Sequence, residues 1–199
     1  MRASARSLLC GTVFALSACG SVTVPPRPEV ILAATPDHFS VCQAYSCRDI
    51  TTLALDAAQR QTLAALFDKT PRDAAAERTR LAGAIAAMER WVGARTGTDR
   101  DLGGTFPGLG QPGQMDCIDE STNTTRYLAL FEERGLLRWH RVMDPIYRAP
   151  QIFDQHWSAR IEEIHTGEQF AVDSWFEDNG YPPYIQRVES WRRKVSLRR

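Results

Sequence analysis

The feature that most restricts how this chain can fold is a break in pattern from Gly93 to Asp116. Seven of the thirteen glycines fall there, together with Pro107 and Pro112. Connections this long without structure of their own are uncommon in compact domains and are usually functional. Before the break the apolar residues recur at helical spacing. After it comes one more helical run, and then alternation. Helices first and strands later imply an α+β fold, with N-terminal helices packed on a small antiparallel sheet. At 199 residues the chain is long enough for one core and too short for two full domains.

Asp56 and Gln59 form a capping pair ahead of an apolar face of Leu63, Leu66 and Phe67. Thr70-Pro-Arg-Asp73 is a second start signal, followed by Leu81, Ile85, Met88 and Val92 at helical spacing. That stripe is core packing. Within the break, Gly108-Leu-Gly110-Gln-Pro-Gly113 spells a dinucleotide fingerprint, but no strand precedes it, so that reading fails.

The break ends at Gln111-Pro-Gly-Gln-Met-Asp-Cys117. Asp116 is a good N-cap and Asp119 stands three residues on, which puts Cys117 at the first position of a helix running to about Arg134. Backbone N–H groups without an intrahelical partner surround such a position and favour the nucleophilic thiolate. Asp116, Asp119 and Glu120 oppose this, and a neighbouring protonated His156 is expected to outweigh them. Beyond Gly135, Leu136 to Met143 reads as a strand and Asp144 to Asp154 as a loop. His156 to Ile164 and Glu168 to Trp175 form a hairpin turning at Thr166-Gly167, and a short strand follows near Tyr184 to Val188. A tip at Thr166-Gly167 would set His156 opposite Glu177, four residues from Asp173, a gap of roughly 13 Å. His140, beside Trp139, reads as sheet packing, and His165 as exposed turn.

The N-terminus is a targeting segment. Arg2 and Arg6 precede an apolar run, Leu8 to Leu16, too short to span a bilayer. Leu16-Ser-Ala-Cys19 resembles the lipobox of bacterial lipoproteins, which implies a lipid on Cys19 and, with Gly20 next, an outer-membrane destination facing the periplasm or the cell surface. The alternative is an ordinary signal peptide with a chance cysteine. Residues 1–18 are then the signal, 19–40 a lipidated end and Pro-rich tether, and 41–199 a single domain. In an oxidising compartment Cys42 and Cys47 could pair, leaving Cys117 as the odd thiol, or they could be buried free thiols. No ligand spacing for zinc is present and no cofactor is expected. Charge is balanced, 24 basic against 24 acidic residues, which gives no reason to expect nucleic acid. The basic end, Arg192 to Arg199, is either a solvated tail or a contact for anionic lipid or cell-wall polymer.

Cysteine hydrolases need a thiolate, a base and a group that orients the base. Asp116-Cys117-Ile-Asp119, Gly135-Leu-Leu, His156-Trp-Ser-Ala-Arg-Ile-Glu and Phe170-Ala-Val-Asp173-Ser occur in the chain order and spacing of such a set. This arrangement resembles the transglutaminase-like superfamily, including its bacterial cysteine-proteinase branch, over about a third of the chain. The resemblance implies a transglutaminase-like or papain-like core with Cys117 as nucleophile, His156 as base and Asp173 as orienter. It also implies Gln111 as an oxyanion-hole donor, with Gln114 as its competitor. Met115 stands where that family often has glycine. Ile118 replaces the acid of an Asp-Cys-Glu-Asp motif, so a calcium site there is not expected. The expected function is thiol-dependent hydrolysis or acyl transfer on peptide or protein amides of the cell envelope. The alternative is a non-catalytic envelope lipoprotein that binds cell-wall or protein partners.

Overall fold

The computed structural model describes residues 35, 38–104, 106–149 and 155–194. The expected signal segment, Cys19 and most of the expected tether lie outside them. The described chain is mixed α+β. A hairpin of β1 (Phe39–Gln43) and β2 (Asp49–Leu53) leads into α1 (Ala57–Leu66) and α2 (Ala74–Thr96). A 3-10 turn and the glycine-rich segment then reach α3 (Cys117–Glu133). A four-stranded antiparallel sheet follows, β3 (His140–Arg148), β4 (His156–Glu163), β5 (Gln169–Asp173) and β6 (Tyr184–Arg187), in sequential order, and α4 (Val188–Arg192) closes the described chain. Among the described residues no helix is long and apolar enough to cross a membrane.

The capping signals behave as their chemistry dictates. Asp56 caps α1 in a reciprocal box with Gln59, and Asp73 accepts the N–H of Ala76 at the start of α2. Leu81, Ile85, Met88 and Val92 of α2 meet Leu128, Leu130 and Phe131 of α3, with Ile161 and Val172 of the sheet on the far side. So α3 is the central helix. Its first half is nevertheless polar and buried, from Asp119 to Arg126. Buried polar groups must find partners. Asn123 finds them in the backbone of Cys42, accepting its N–H at 2.7 Å and donating to its carbonyl at 2.8 Å, as a neighbouring strand would.

Three elements differ from the sequence reading. The tether was expected to reach residue 40, but Phe39 is buried and opens β1. Asp144 to Arg148 were expected as loop, yet they continue β3. The register slips between Met143 opposite Arg160 and Ile146 opposite Ser158, so Asp144 and Pro145 share one partner position. That bulge on an edge strand is where a proline without an N–H is tolerated. Finally, the C-terminal strand stops at Arg187 and gives way to α4, whose Trp191 is fully buried.

His140 sits at the start of β3 with α2 rather than in open sheet packing. Its Nδ1 lies 2.9 Å from Glu77 Oε1, and the same carboxylate accepts the backbone N–H groups of Arg138, Trp139 and His140. Burial pushes the Glu77 carboxyl up, but His140 and the backbone donors outweigh it, so it stays ionised below the usual carboxylate range. Replacing Glu77 by alanine strands several buried donors at once. Urea unfolding of Glu77→Ala should show a loss of about 3 kcal/mol. A loss under about 1 kcal/mol would mean that water replaces the carboxylate without penalty.

Candidate active site

The start of α3 is fixed from two sides. Asp116 Oδ1 accepts the N–H groups of Ile118 and Asp119 at 3.0 Å, and Asp119 Oδ2 returns a bond from the Asp116 N–H. The remaining oxygens reach the loop between β1 and β2. Asp119 accepts from Tyr45 and Cys47 at 2.8 and 2.6 Å, and Asp116 Oδ2 from the Ser46 N–H at 3.0 Å. Ala44, Tyr45, Ser46 and Cys47 all have φ between 55° and 66°, in the left-handed region that non-glycine residues avoid. Two constraints hold them there, the two carboxylates and the Cys42–Cys47 disulfide, whose Cα atoms are 4.5 Å apart. Cys117 is the free thiol among the described cysteines. Cys42, Cys47 and Asp119 bring ligand-type atoms within 4.8 Å of one another, but both sulfurs are spent in the disulfide.

The glycine-rich segment packs between α2, α3 and the turn after β5. Gly113 has φ +85°, and a Cβ there would lie 2.1 Å from the Gly97 carbonyl, so glycine is required. A Cβ on Gly103 would strike the Phe176 carbonyl, and the Gly104 N–H donates to the Trp175 carbonyl. The segment thereby braces Trp175 and Phe176, which stack on the His156 ring at centroid distances of 4.6 and 5.3 Å.

His156 and Asp173 meet directly, Nε2 to Oδ2 at 2.8 Å, with both side chains buried. The 13 Å gap does not arise because the hairpin is looser than expected. Glu163 bonds Glu168 across the loop Ile164 to Gly167, and Ala159 faces Val172. Continuing that register sets Asp173 opposite Ser158, two residues nearer to His156, and the diagonal side chains can touch. A third residue completes the set. Trp191 Nε1 donates to the same Asp173 oxygen at 2.6 Å. No sequence motif marks Trp191, and its only sequence signal is a tryptophan within a basic, apparently frayed end.

With Nε2 committed to Asp173, His156 Nδ1 is the nitrogen left for chemistry. It is buried and has no hydrogen-bond partner among the described residues. The backbone N–H of Trp157, the residue after His156, favours the ionised form of the Cys117 thiol, as does the N–H of Cys117 itself. Cys117 and His156 form no hydrogen bond with each other. The charge state of the thiol corrects the sequence expectation. Burial first, and then the charges of Asp116 and Asp173, push Cys117 up to about 11 despite the two N–H donors, so the resting group is a thiol. The helix start alone does not outweigh desolvation.

Gln111 is exposed and lines a groove with Tyr45, Arg48 and Arg100, and its side chain makes no hydrogen bond with α3. Gln114 is buried and spent, donating to the Arg100 carbonyl and accepting from the Leu102 N–H. The groups that favour the ionised sulfur are the backbone N–H groups of Trp157 and Cys117, and neither glutamine is among them.

Three buried acids lie behind the site. Glu89 of α2 accepts the Gly180 N–H, Asp101 accepts the Met115 N–H at 2.7 Å, and Glu120 of α3 donates a hydrogen bond to Asp101. Burial pushes all three carboxyls up, Glu89 and Asp101 to about 7 and Glu120 well above its usual range. The folded state therefore holds protons that the unfolded chain releases near pH 4, and stability must fall as pH rises from there through about 7. Chemical unfolding at several pH values should show this decline, and Glu120→Gln should flatten it. A stability that climbs between pH 5 and 8 in the parent protein would contradict the shared protonation.

Comparison of the chain with protein-family models, with curated proteins and with solved structures finds no match in any of the three.

Proposed function

We propose that this chain is a thiol-dependent hydrolase or acyl transferase acting on peptide or protein amides through Cys117, His156 and Asp173, on a core of the transglutaminase-like type. The observation that carries the reading is the state of His156. Its Nε2 is locked to Asp173, while its Nδ1 is buried without a partner among the described residues, at the end of the strand whose Trp157 N–H favours the ionised Cys117 sulfur. A buried ring nitrogen left open costs stability unless something uses it.

The chemistry follows from the geometry. Nδ1 takes the proton from Cys117 as the sulfur attacks the carbonyl carbon of an amide. Charge builds on the carbonyl oxygen, where the N–H groups of Cys117 and Trp157 are the donors at hand. The C–N bond breaks as the imidazolium returns its proton to the departing amine, leaving a thioester on Cys117. Water, or an acceptor amine in acyl transfer, then gives a proton to Nδ1 and breaks the thioester, and the thiol regains its proton. Asp173, held by Trp191, keeps the ring turned and stabilises it while it is charged. Because the resting thiol is neutral, the proton transfer accompanies attack, unlike in enzymes with a preformed thiolate.

The lipobox-like Leu16 to Cys19 supports a location in the cell envelope, with the outer membrane reached through a lipid on Cys19, and a Cys42–Cys47 disulfide suits an oxidising compartment. A second reading, a binding lipoprotein on the same fold, draws on the elevated Cys117 and the missing sulfur–imidazole bond.

Mixing the protein with 4-nitrophenyl acetate separates the two. The enzyme reading predicts a burst of nitrophenolate and one acetyl group on Cys117 by peptide mass spectrometry. Cys117→Ala and His156→Ala should each abolish the burst, and their combination should cost little more. Asp173→Ala should slow it about 100-fold without abolishing it. Absence of acylation in the folded parent protein, with Cys117 reacting only after denaturation, would leave the binding reading.

A further inference from the structure

Beside the catalytic set stands a cation that the reaction above does not use. Arg148 ends β3, directly paired with His156 of β4. It is only 8% exposed, and its guanidinium lies over the Trp191 ring, with Cζ 4.5 Å from the centroid and 6.0 Å from that of Phe176. Among the described residues it makes one hydrogen bond, from Nη1 to the Trp191 carbonyl, while Nε is buried with no partner. Among the described residues no carboxylate forms a salt bridge with it. Asp173 is near enough to feel its charge but spends Oδ2 on His156 and Trp191. A guanidinium buried in this way, with its Nε without a partner among the described residues, is an incomplete anion site, since the planar fork matches a carboxylate.

We infer that Arg148 receives a carboxylate of the substrate close to the carbonyl carbon that Cys117 attacks, so that the preferred substrates are amides carrying an acidic group next to the scissile bond. This rests on the reading of Cys117 as the nucleophile. A role confined to holding Trp191 would need only the Nη1 bond. It would not require the ring-stacked guanidinium to sit at the His156 end of the sheet. A neutral or basic group at the same place would leave the guanidinium unpaired, which disfavours such substrates.

Two alkylating reagents of nearly the same size test this without knowledge of the natural substrate. Iodoacetate carries a carboxylate and iodoacetamide does not. Their rate ratio at one pH is independent of the thiolate fraction, because both attack the same thiolate. The Cys117 ratio of iodoacetate to iodoacetamide should exceed that of 2-mercaptoethanol by about tenfold or more, despite the repulsion from Asp116 and Asp173. Arg148→Gln should bring the ratio to the 2-mercaptoethanol value, and Arg148→Lys should keep part of the excess. Mono-4-nitrophenyl succinate and 4-acetoxybenzoate then show on which side of the scissile bond the acid sits, the acyl or the leaving group. A Cys117 that reacts in the folded protein with the ratio of a free thiol overturns the carboxylate site and leaves the nucleophile standing. A Cys117 that reacts with neither reagent until the protein is denatured overturns both.

Discussion

The site depends on one carboxylate oxygen. Asp173 Oδ2 accepts from His156 Nε2 and from Trp191 Nε1, and these two bonds tie β4, β5 and α4 together around a buried charge. They set the tautomer as well as the position of the imidazole. In the neutral ring, a proton on Nε2 directed at Asp173 leaves the lone pair on Nδ1, which points away from it. Trp175, Phe176 and Trp191 surround the ring, with centroids 4.6 to 5.7 Å away, and leave it little freedom to turn. A buried ion partnered by two donors is tolerable, whereas the same carboxylate without His156 or Trp191 would not be.

The other half of the site is costly to hold. Cys117 begins a helix whose first turn is crowded with acids, and the loop that seals that turn has four consecutive residues in a conformation that costs roughly 1 kcal/mol or more at each. Asp116 and Asp119 offset this by capping α3 and clamping the loop at once, and the disulfide limits what the loop can do when released. Local strain and buried like charges around one half-exposed cysteine lower stability, and proteins commonly retain such arrangements at functional positions.

Much of this was legible in the sequence where one residue decides one outcome. The capping box at Asp116, the helix starting at Cys117, the pairing of Cys42 with Cys47 and the apolar stripe of α2 follow from short-range chemistry, and the structure has all four. The meeting of His156 with Asp173 was readable in kind but not in register, because a loop of four residues and one of two look alike when glycine is the only marker. The bulge at Pro145 was hidden because proline argues against a strand until an edge position admits it. The polar half of α3 carries no sequence signal of its burial. It is buried because its partners, Cys42 and Ser174, are distant in the chain. Trp191 and Arg148 carry no local pattern at all, and only the packing of α4 against β5 and the pairing of β3 with β4 bring them to the site. The charge state of Cys117 was misjudged because burial, the deciding quantity, cannot be read from neighbours in sequence.

The central claim is that His156 offers an unprotonated Nδ1 to Cys117, and the nitrogen-15 spectrum of the His156 ring reads this directly. With the ring neutral, the account predicts a protonated Nε2 and a bare Nδ1, and a shift of the Nδ1 resonance when Cys117 is alkylated. A proton on Nδ1, or an Nδ1 resonance indifferent to alkylation of Cys117, would contradict it.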